Sequence, residues 1–145
     1  MDEADPNRRR LTHDEAVGLL SRPLFGVFSS LSESGWIHSV PVSFLYGEDQ
    51  IRFRAGSRSV KTRNVERTGH GTLCVETAEG ITRTYVSVSG PVTVRRALDA
   101  ADLYALDQKY SSDDFAEGLD AEWFASDVMI VLTIERWIAW ADWDY

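Results

Sequence analysis

The chain has 145 residues, a single-domain length, and a domain of this size buries roughly 70% of the surface that its unfolded chain exposes. With 43% hydrophobic residues and five tryptophans, it has the composition of a globular protein and not of a disordered or fibrous one. Its net charge of −8 argues against general binding to nucleic acid or to an anionic membrane, because the long-range field repels polyanions.

The single cysteine, Cys74, excludes an intramolecular disulfide and a thiolate cluster for zinc. A reducing compartment fits this cysteine usage best. The start of the chain has no apolar run of the signal-peptide type, and no segment approaches the ~20 apolar residues that a membrane helix needs. We therefore expect a cytoplasmic protein that does not bind membranes.

Polar and charged residues dominate the first ten positions, so we expect a disordered tail over residues 1–10 and one domain over residues 11–145. Thr12 followed by Glu15 is a capping box, in which each side chain satisfies an exposed amide at the start of a helix. Together with the apolar residues that follow, it predicts a short helix that ends near Leu20.

Short runs rich in β-branched and aromatic residues, bounded by Gly, Ser, Asp and Glu, predict antiparallel strands along the rest of the chain. In order they are LFGVFSSL (24–31), WIHSVPVSFLY (36–46), IRFRA (51–55), GTLCVET (71–77), TRTYVSVSG (82–90), PVTVRR (91–96) and a long last one, DVMIVLTIERWIAWA (127–141). Short strands at regular spacing with few helices predict a mainly β fold, a small β-barrel with peripheral helices.

Two further helices are predicted between the strands. One begins near Ser59, and its apolar side includes Val60 and Val65. The other is ALDAADLYALDQKY (97–110), whose apolar residues recur at spacings of three and four, which suits a helix with one buried face.

The common motifs of metal centres, nucleophiles and nucleotide cradles are missing from the sequence. His13, His38 and His70 are far apart and belong to no HxH or HExxH spacing. The chain has no GxSxG, GxxxxGK[ST] or GxGxxG motif. We therefore predict no metal site and no nucleophilic side chain.

Positive charge gathers in one segment of this acidic chain. Six of the fifteen basic side chains fall within residues 52–67, where Glu66 is the only acid: Arg52, Arg54, Arg58, Lys61, Arg63 and Arg67. A helix that starts near Ser59 would add first-turn amides and a partial positive charge, which together suit a phosphate ester. The alternative is an exposed basic helix that makes weak surface ion pairs. The local residues by themselves favour neither interpretation.

The segment GSRSVKTRNVERTGHGTLCVE (56–76) resembles the phosphate-binding signature of the flavin and deazaflavin oxidoreductases of the pyridoxamine 5′-phosphate oxidase superfamily. SSLSESGWIHSVPVSFLY, IRFRAGS and TYVSVSGPVTV agree with that superfamily in order and spacing. The resemblance runs from about Leu11 to Tyr145 and is strongest between Gly35 and Val94. It implies a split β-barrel homodimer with two equivalent cofactor sites at the subunit interface.

Within this superfamily, the KTRN run most resembles the branch that binds coenzyme F420, a deazaflavin, although FMN-binding members have similar segments. The resemblance assigns four residues to the phosphate of the cofactor: Ser59, Lys61, Arg63 and Asn64. Several relatives have Arg where this chain has Ser59. The resemblance therefore also implies that Arg58 or Arg54 supplies this phosphate contact instead.

The resemblance also implies a set of residues around the cofactor ring. They are Ser39, Val40, Pro41 and Val42, largely through their backbone groups, with Arg54 and Ala55 on the neighbouring strand. Tyr85 is a candidate proton donor. Trp140 is a candidate ring contact from the partner subunit, since the family usually inserts this end of the chain into its partner's active site.

The activity implied by the resemblance is hydride transfer between coenzyme F420 and a small conjugated organic acceptor. Three alternatives stay open. The protein is an FMN-dependent oxidase or reductase of the same fold, a non-catalytic carrier or sensor of a flavin or tetrapyrrole, or a barrel that has lost its cofactor and serves as an interaction module.

Overall fold

The computed structural model describes residues 6–110 and 126–143, which form nine strands and three helices. In chain order they are β1 (Arg8–Arg10), α1 (His13–Leu20), β2 (Gly26–Leu31), β3 (Ile37–Val42), β4 (Leu45–Gly47), β5 (Gln50–Gly56), α2 (Val60–Thr68), β6 (His70–Glu79), β7 (Thr82–Arg95), α3 (Ala100–Tyr110), β8 (Asp127–Thr133) and β9 (Arg136–Asp142). None of these helices is long and apolar enough to cross a membrane.

All the described strand pairs are antiparallel, and the main strand order is β3-β2-β6-β7-β8-β5-β4. β9 pairs with β7, and β1 pairs with β9. The sheet encloses a core that includes Phe28 and Phe53, both fully buried, with ring centroids 4.8 Å apart. The mainly β barrel with peripheral helices is thereby confirmed.

The first helix, α1, forms as predicted. Thr12 Oγ1 accepts the amide N–H of Glu15 at 3.2 Å, and the Thr12 amide donates to Glu15 Oε1 at 3.0 Å. Ala16, Leu19 and Leu20 are buried against the barrel. The capping box therefore fixes where this helix begins, and the apolar face determines how it packs.

The predicted tail over residues 1–10 is wrong for its last residues. Arg8–Arg10 form β1, which pairs with β9. Arg8 Nε donates to Asp142 Oδ1 at 2.8 Å, and the guanidinium carbon of Arg8 lies 4.2 Å from the ring centroid of Trp140. Backbone pairing and these two side-chain contacts, all with residues distant in sequence, offset the polar character of the segment. Residues 1–5 lie outside the described part of the chain.

The two strands predicted over residues 82–96 are one continuous strand, β7. Its first part pairs with β6 and β9, and its last residues pair with β8. A Cβ on Gly90 would overlap the carbonyl oxygen of Thr133, so only glycine permits this close backbone approach. Gly90 thus marks the place where β7 changes partners and not the end of a strand.

The single strand predicted over residues 127–141 is two strands, β8 and β9. Ile134 and Glu135 separate them, and their amides donate to the carbonyl oxygens of Asp49 and Ser89, both at 2.9 Å. These bonds draw the backbone from the side of β5 to that of β7, so β8 and β9 lie on different parts of the barrel. The predicted strand over residues 36–46 is likewise divided, between β3 and β4.

Candidate functional site

The helix α2 begins directly after β5, at a turn held by side chains. Ser59 caps the helix, and its Oγ accepts the amide N–H of Thr62 at 3.3 Å. Thr62 Oγ1 donates to the carbonyl oxygen of Gly56 at 2.8 Å. The helix start predicted near Ser59 is confirmed, and the first amides, those of Val60 and Lys61, are left without acceptors inside the helix.

The face of α2 that packs on the barrel is partly polar. It comprises Thr62, Asn64 and Val65, whereas Val60 is 40% exposed, so the predicted packing is right for Val65 and wrong for Val60. Asn64 is buried, and its Nδ2 donates to Ser30 Oγ on β2 at 3.1 Å. A hydrogen bond between buried side chains therefore attaches α2 to the sheet.

A cavity of about 550 Å³ lies where the end of β3, β5, the first turn of α2 and α3 meet. Four residues that the sequence assigned to the cofactor line it together: Pro41, Val42, Arg54 and Lys61. The rest of its lining is Pro23, Phe25, Ser43, Leu106, Asp107 and Tyr110. This cavity is the candidate functional site.

The two cations of the cavity differ in their surroundings. Arg54 Nη1 lies 3.4 Å from Asp127 Oδ2, and burial lowers the pKa of the Arg54 guanidinium, which the charge of Asp127 partly opposes. Burial also lowers the pKa of the half-buried Lys61 ammonium, again against the charge of Asp127. Within residues 6–110 and 126–143, the side-chain ammonium of Lys61 has no hydrogen bond or ion pair.

A cationic group that is partly removed from water and lacks a hydrogen-bond partner gains from an anionic ligand, because the ligand replaces its lost hydration. The amides at the start of α2 and the partial charge of the helix end favour an anion at the same place. The residues present therefore fit the phosphate of a cofactor.

The first turns of α3 are attached to the barrel by an ionic cluster. Asp102 Oδ2 accepts from Arg95 Nη2 at 3.0 Å, and Asp102 Oδ1 lies 3.3 Å from Arg52 Nη2. Arg52 lies on β5 and Arg95 ends β7, so one carboxylate connects α3 to two strands.

The last turn of α3 is held by backbone carbonyl groups. Lys109 Nζ donates to the carbonyl oxygens of Leu20 and Phe44 at 2.9 and 2.8 Å, and burial lowers the pKa of this amine to about 8. The hydroxyl of Tyr110 donates to the carbonyl oxygen of Leu24 at 2.9 Å and accepts the amide of Phe44 at 3.0 Å. Because both ends of α3 are attached, it forms a fixed wall of the cavity.

Sequence reasoning did not identify the part of α3 that lines the cavity, which consists of Leu106, Asp107 and Tyr110. A signal was present in the sequence. Leu103, Leu106 and Tyr110 follow helical spacing, and Asp107 interrupts the stripe that they form. An acid on the apolar face of a helix departs from the expected apolar pattern, and such departures often mark functional positions.

The other residues assigned to the cofactor do not line this cavity. Arg58 and Arg63 are exposed, Ala55 is buried in the core, and Val40 packs against that core. Ser39 lies on the outer face of the sheet, where its Oγ is 2.9 Å from that of Ser29. Ser59 and Asn64 are engaged in the cap and in the contact with β2. Roles for these side chains at a cofactor stay predictions.

Tyr85 and Trp140 are neighbours on β7 and β9, outside the lining of the cavity. Arg8 Nη2 donates to the hydroxyl of Tyr85 at 3.2 Å. The guanidinium carbons of Arg8 and Arg10 lie 4.2 and 5.0 Å from the ring centroid of Trp140. The role of Tyr85 as a proton donor and that of Trp140 as a ring contact from the partner subunit stay predictions.

An antiparallel β-barrel with a lysine-lined cavity at the helix after β5 is the arrangement expected of a class, the split β-barrel proteins of flavin-binding oxidoreductase type. The family model described as pyridoxamine 5'-phosphate oxidase matches residues 12–141. The chain belongs to this family, as the sequence resemblance predicted. No curated protein sequence matched the chain.

Solved structures of other proteins share the fold. An F420 reductase superposes with a TM-score of 0.66 at 20% identity, over 83% of this chain and 93% of that one. An FAD-binding protein from Mesorhizobium loti gives 0.70 at 18% identity, over 92% and 97%. A heme-binding protein from Mycobacterium smegmatis gives 0.69 at 13% identity, over 90% of this chain and 55% of that one. At these identities the similarity shows the fold alone.

Proposed function

We propose that this protein is an oxidoreductase that transfers a hydride between coenzyme F420 and a small conjugated organic acceptor. The observation that carries the proposal is the position of Lys61, half-buried in the cavity and with an ammonium group that has no hydrogen bond to any described residue. Arg54 lines the same cavity. Each charge-assisted hydrogen bond to a phosphate contributes roughly 1.5–3 kcal/mol, which is enough to make this contact decisive for affinity.

The bound cofactor supplies the hydride chemistry, and the chain binds, orients and shields it. Pro41 and Val42 offer an apolar wall for a planar ring beside the two cations. β3 pairs only with β2 among the described strands, so some of its backbone N–H and C=O groups are available to a ligand. Fixing both the phosphate and the ring restricts the cofactor to one orientation, which promotes hydride transfer.

We also propose that the functional unit is a homodimer with the cofactor at the subunit interface. The supporting feature is an uncovered apolar area on the outer sheet face, where Val27 and Ile138 are each 43% exposed, Leu31 is 50% exposed and Ile37 is 71% exposed. The strand register connects Val27 to Ile138 through Cys74 and Ser87 in a single row. A second copy on this face would remove these side chains from water.

FMN is the alternative cofactor, because Lys61 and Arg54 suit its phosphate as well. A second candidate function is a non-catalytic carrier of a flavin or tetrapyrrole. The similarity in fold to a heme-binding protein favours keeping this candidate. Turnover assays with enones, quinones and tetrapyrroles separate an enzyme from a carrier.

The phosphate site is tested by titrating the purified protein with F420 and with FMN while tryptophan fluorescence is followed. Lys61→Ala is expected to weaken both ligands at least tenfold, because a charge-assisted hydrogen bond is lost. Glu66→Ala is the control, since Glu66 lies on the same helix, is exposed and has no assigned role at the cofactor. An unchanged dissociation constant for Lys61→Ala, with the protein still folded, would refute the proposed site.

A further inference from the structure

Among the described residues, the carboxylate of Asp107 has no partner, whereas Tyr110, the other polar residue of α3 that lines the cavity, is engaged. Its Oδ1 is buried without a hydrogen bond, and within residues 6–110 and 126–143 the side chain makes no ion pair. The hydroxyl of Tyr110, on the same wall, already bonds to the backbone groups of Leu24 and Phe44. Asp107 is therefore the only described side chain of α3 that offers the cavity a hydrogen-bond acceptor without a partner in the protein.

The partly buried Asp107 side chain has one oxygen whose burial is not compensated by a hydrogen bond to a described residue. A buried oxygen of a charged group without a hydrogen bond is unfavourable, and an apolar residue would continue the stripe of Leu103, Leu106 and Tyr110. No described residue forms a hydrogen bond with this oxygen, which leaves it available to a molecule in the cavity.

We propose that Asp107 is a specificity-determining residue, which accepts a hydrogen bond from an N–H or O–H group of the molecule whose anionic group lies at Lys61. This rests on the proposed function, since the molecule is taken to be the cofactor. The cavity then recognises a ligand that has an anionic group at the start of α2 and a hydrogen-bond donor at α3. A second anionic group beside Asp107 is disfavoured by charge repulsion.

Flavin titrations test this assignment on the full chain. FMN and riboflavin share the ring and the sugar-like chain, but riboflavin lacks the phosphate. Asp107→Leu is expected to weaken FMN, F420 and riboflavin each by about tenfold or more, because an acceptor for a shared donor is lost. Lys61→Ala is expected to weaken FMN and F420 and to leave riboflavin unchanged. Gln108→Ala, exposed on the same helix, is the control.

Thermal melting of the ligand-free variants separates a ligand-binding role of Asp107 from a role in stabilising the fold. Asp107→Asn is expected to melt at the wild-type temperature or above it, because the carboxylate that it replaces makes no hydrogen bond or ion pair with a described residue and the amide has the same shape. An Asn variant that melts clearly below the wild type would overturn the proposal, since it would show that the carboxylate stabilises the fold.

The proposal also fails if Asp107→Leu binds FMN and F420 as tightly as Gln108→Ala does. Its failure is distinguishable from failure of the phosphate site. Loss of affinity in Lys61→Ala alone leaves the phosphate site standing and refutes the role of Asp107. Loss of affinity in Asp107→Leu alone supports Asp107 and refutes the phosphate site.

Discussion

Lys61 and Arg63 are two positions apart on α2, yet only Lys61 lines the cavity. Residues two apart on an α-helix point in directions about 200° apart, so one of them faces away wherever the other contacts a ligand. The KTRN run therefore predicted the segment correctly but did not distinguish which of its cations faces the cavity. The structure makes this distinction, because the packing of Thr62 and Val65 on the barrel sets which side of α2 faces the cavity.

Lys109 yields a prediction of pH-dependent stability. Burial lowers the pKa of its amine to about 8 in the folded protein, and an unfolded lysine has a pKa of about 10.4. Between these values the unfolded state binds more protons than the folded state, so the contribution of Lys109 to the free energy of unfolding rises with pH from about 8 to about 10.4. Below about pH 8 both states are protonated and this contribution is constant.

The measurement is urea unfolding of the wild type and of Lys109→Met at several pH values between about 7 and 10. The difference in free energy of unfolding is expected to grow in favour of the wild type as the pH rises above about 8. A difference that stays constant over this range would show that the folded and unfolded pKa values of Lys109 are alike.

The elements whose formation depends on local residues were predicted well, and those that depend on distant contacts were not. The capping box placed the start of α1, and Ser59 placed that of α2. The change of partners along β7 was missed, because Gly90 and the proline after it look like a turn in sequence. Only the approach of the Thr133 carbonyl shows why a glycine is needed there.

Gly90→Ala is expected to lower the free energy of unfolding by about 2–3 kcal/mol, because its Cβ would overlap the carbonyl oxygen of Thr133, a backbone atom and not the end of a flexible side chain. Gly18→Ala is the matched control. Gly18 lies on α1, and a Cβ added there would meet no atom within 4 Å, so alanine is expected to stabilise the helix by about 0.5–1 kcal/mol. Chemical unfolding of both variants measures these changes, and equal effects would contradict the role given to Gly90.

At the scale of the whole molecule, the outer sheet face is the main feature that one copy of the chain leaves unexplained. Large exposed apolar side chains there, with Trp36 79% exposed at the hairpin before β3, form a surface of the kind that proteins use for association. The proposed ring contact of Trp140 also depends on a second copy. The proposals about cofactor binding and about assembly are therefore linked.

Ile37→Asp is expected to convert the proposed dimer into monomers, because it would place a charge in a desolvated apolar contact. Ile81→Asp is the control, since Ile81 is 73% exposed at the turn between β6 and β7, away from this face. Light scattering of the cofactor-loaded proteins gives the mass of each. A wild-type protein that is monomeric with cofactor bound would contradict the dimer.

The sequence by itself determined the mainly β barrel, the first two helix starts, the family and the basic segment that contains the candidate site. These follow from residue periodicity, caps and spacing, which act over a few neighbours along the chain. The tertiary structure decided that Lys61 and Arg54, and not Arg58 or Arg63, line the cavity with Asp107 of α3. That outcome depends on how separate elements pack, because a cavity wall is made by residues far apart in sequence whose directions no local pattern sets.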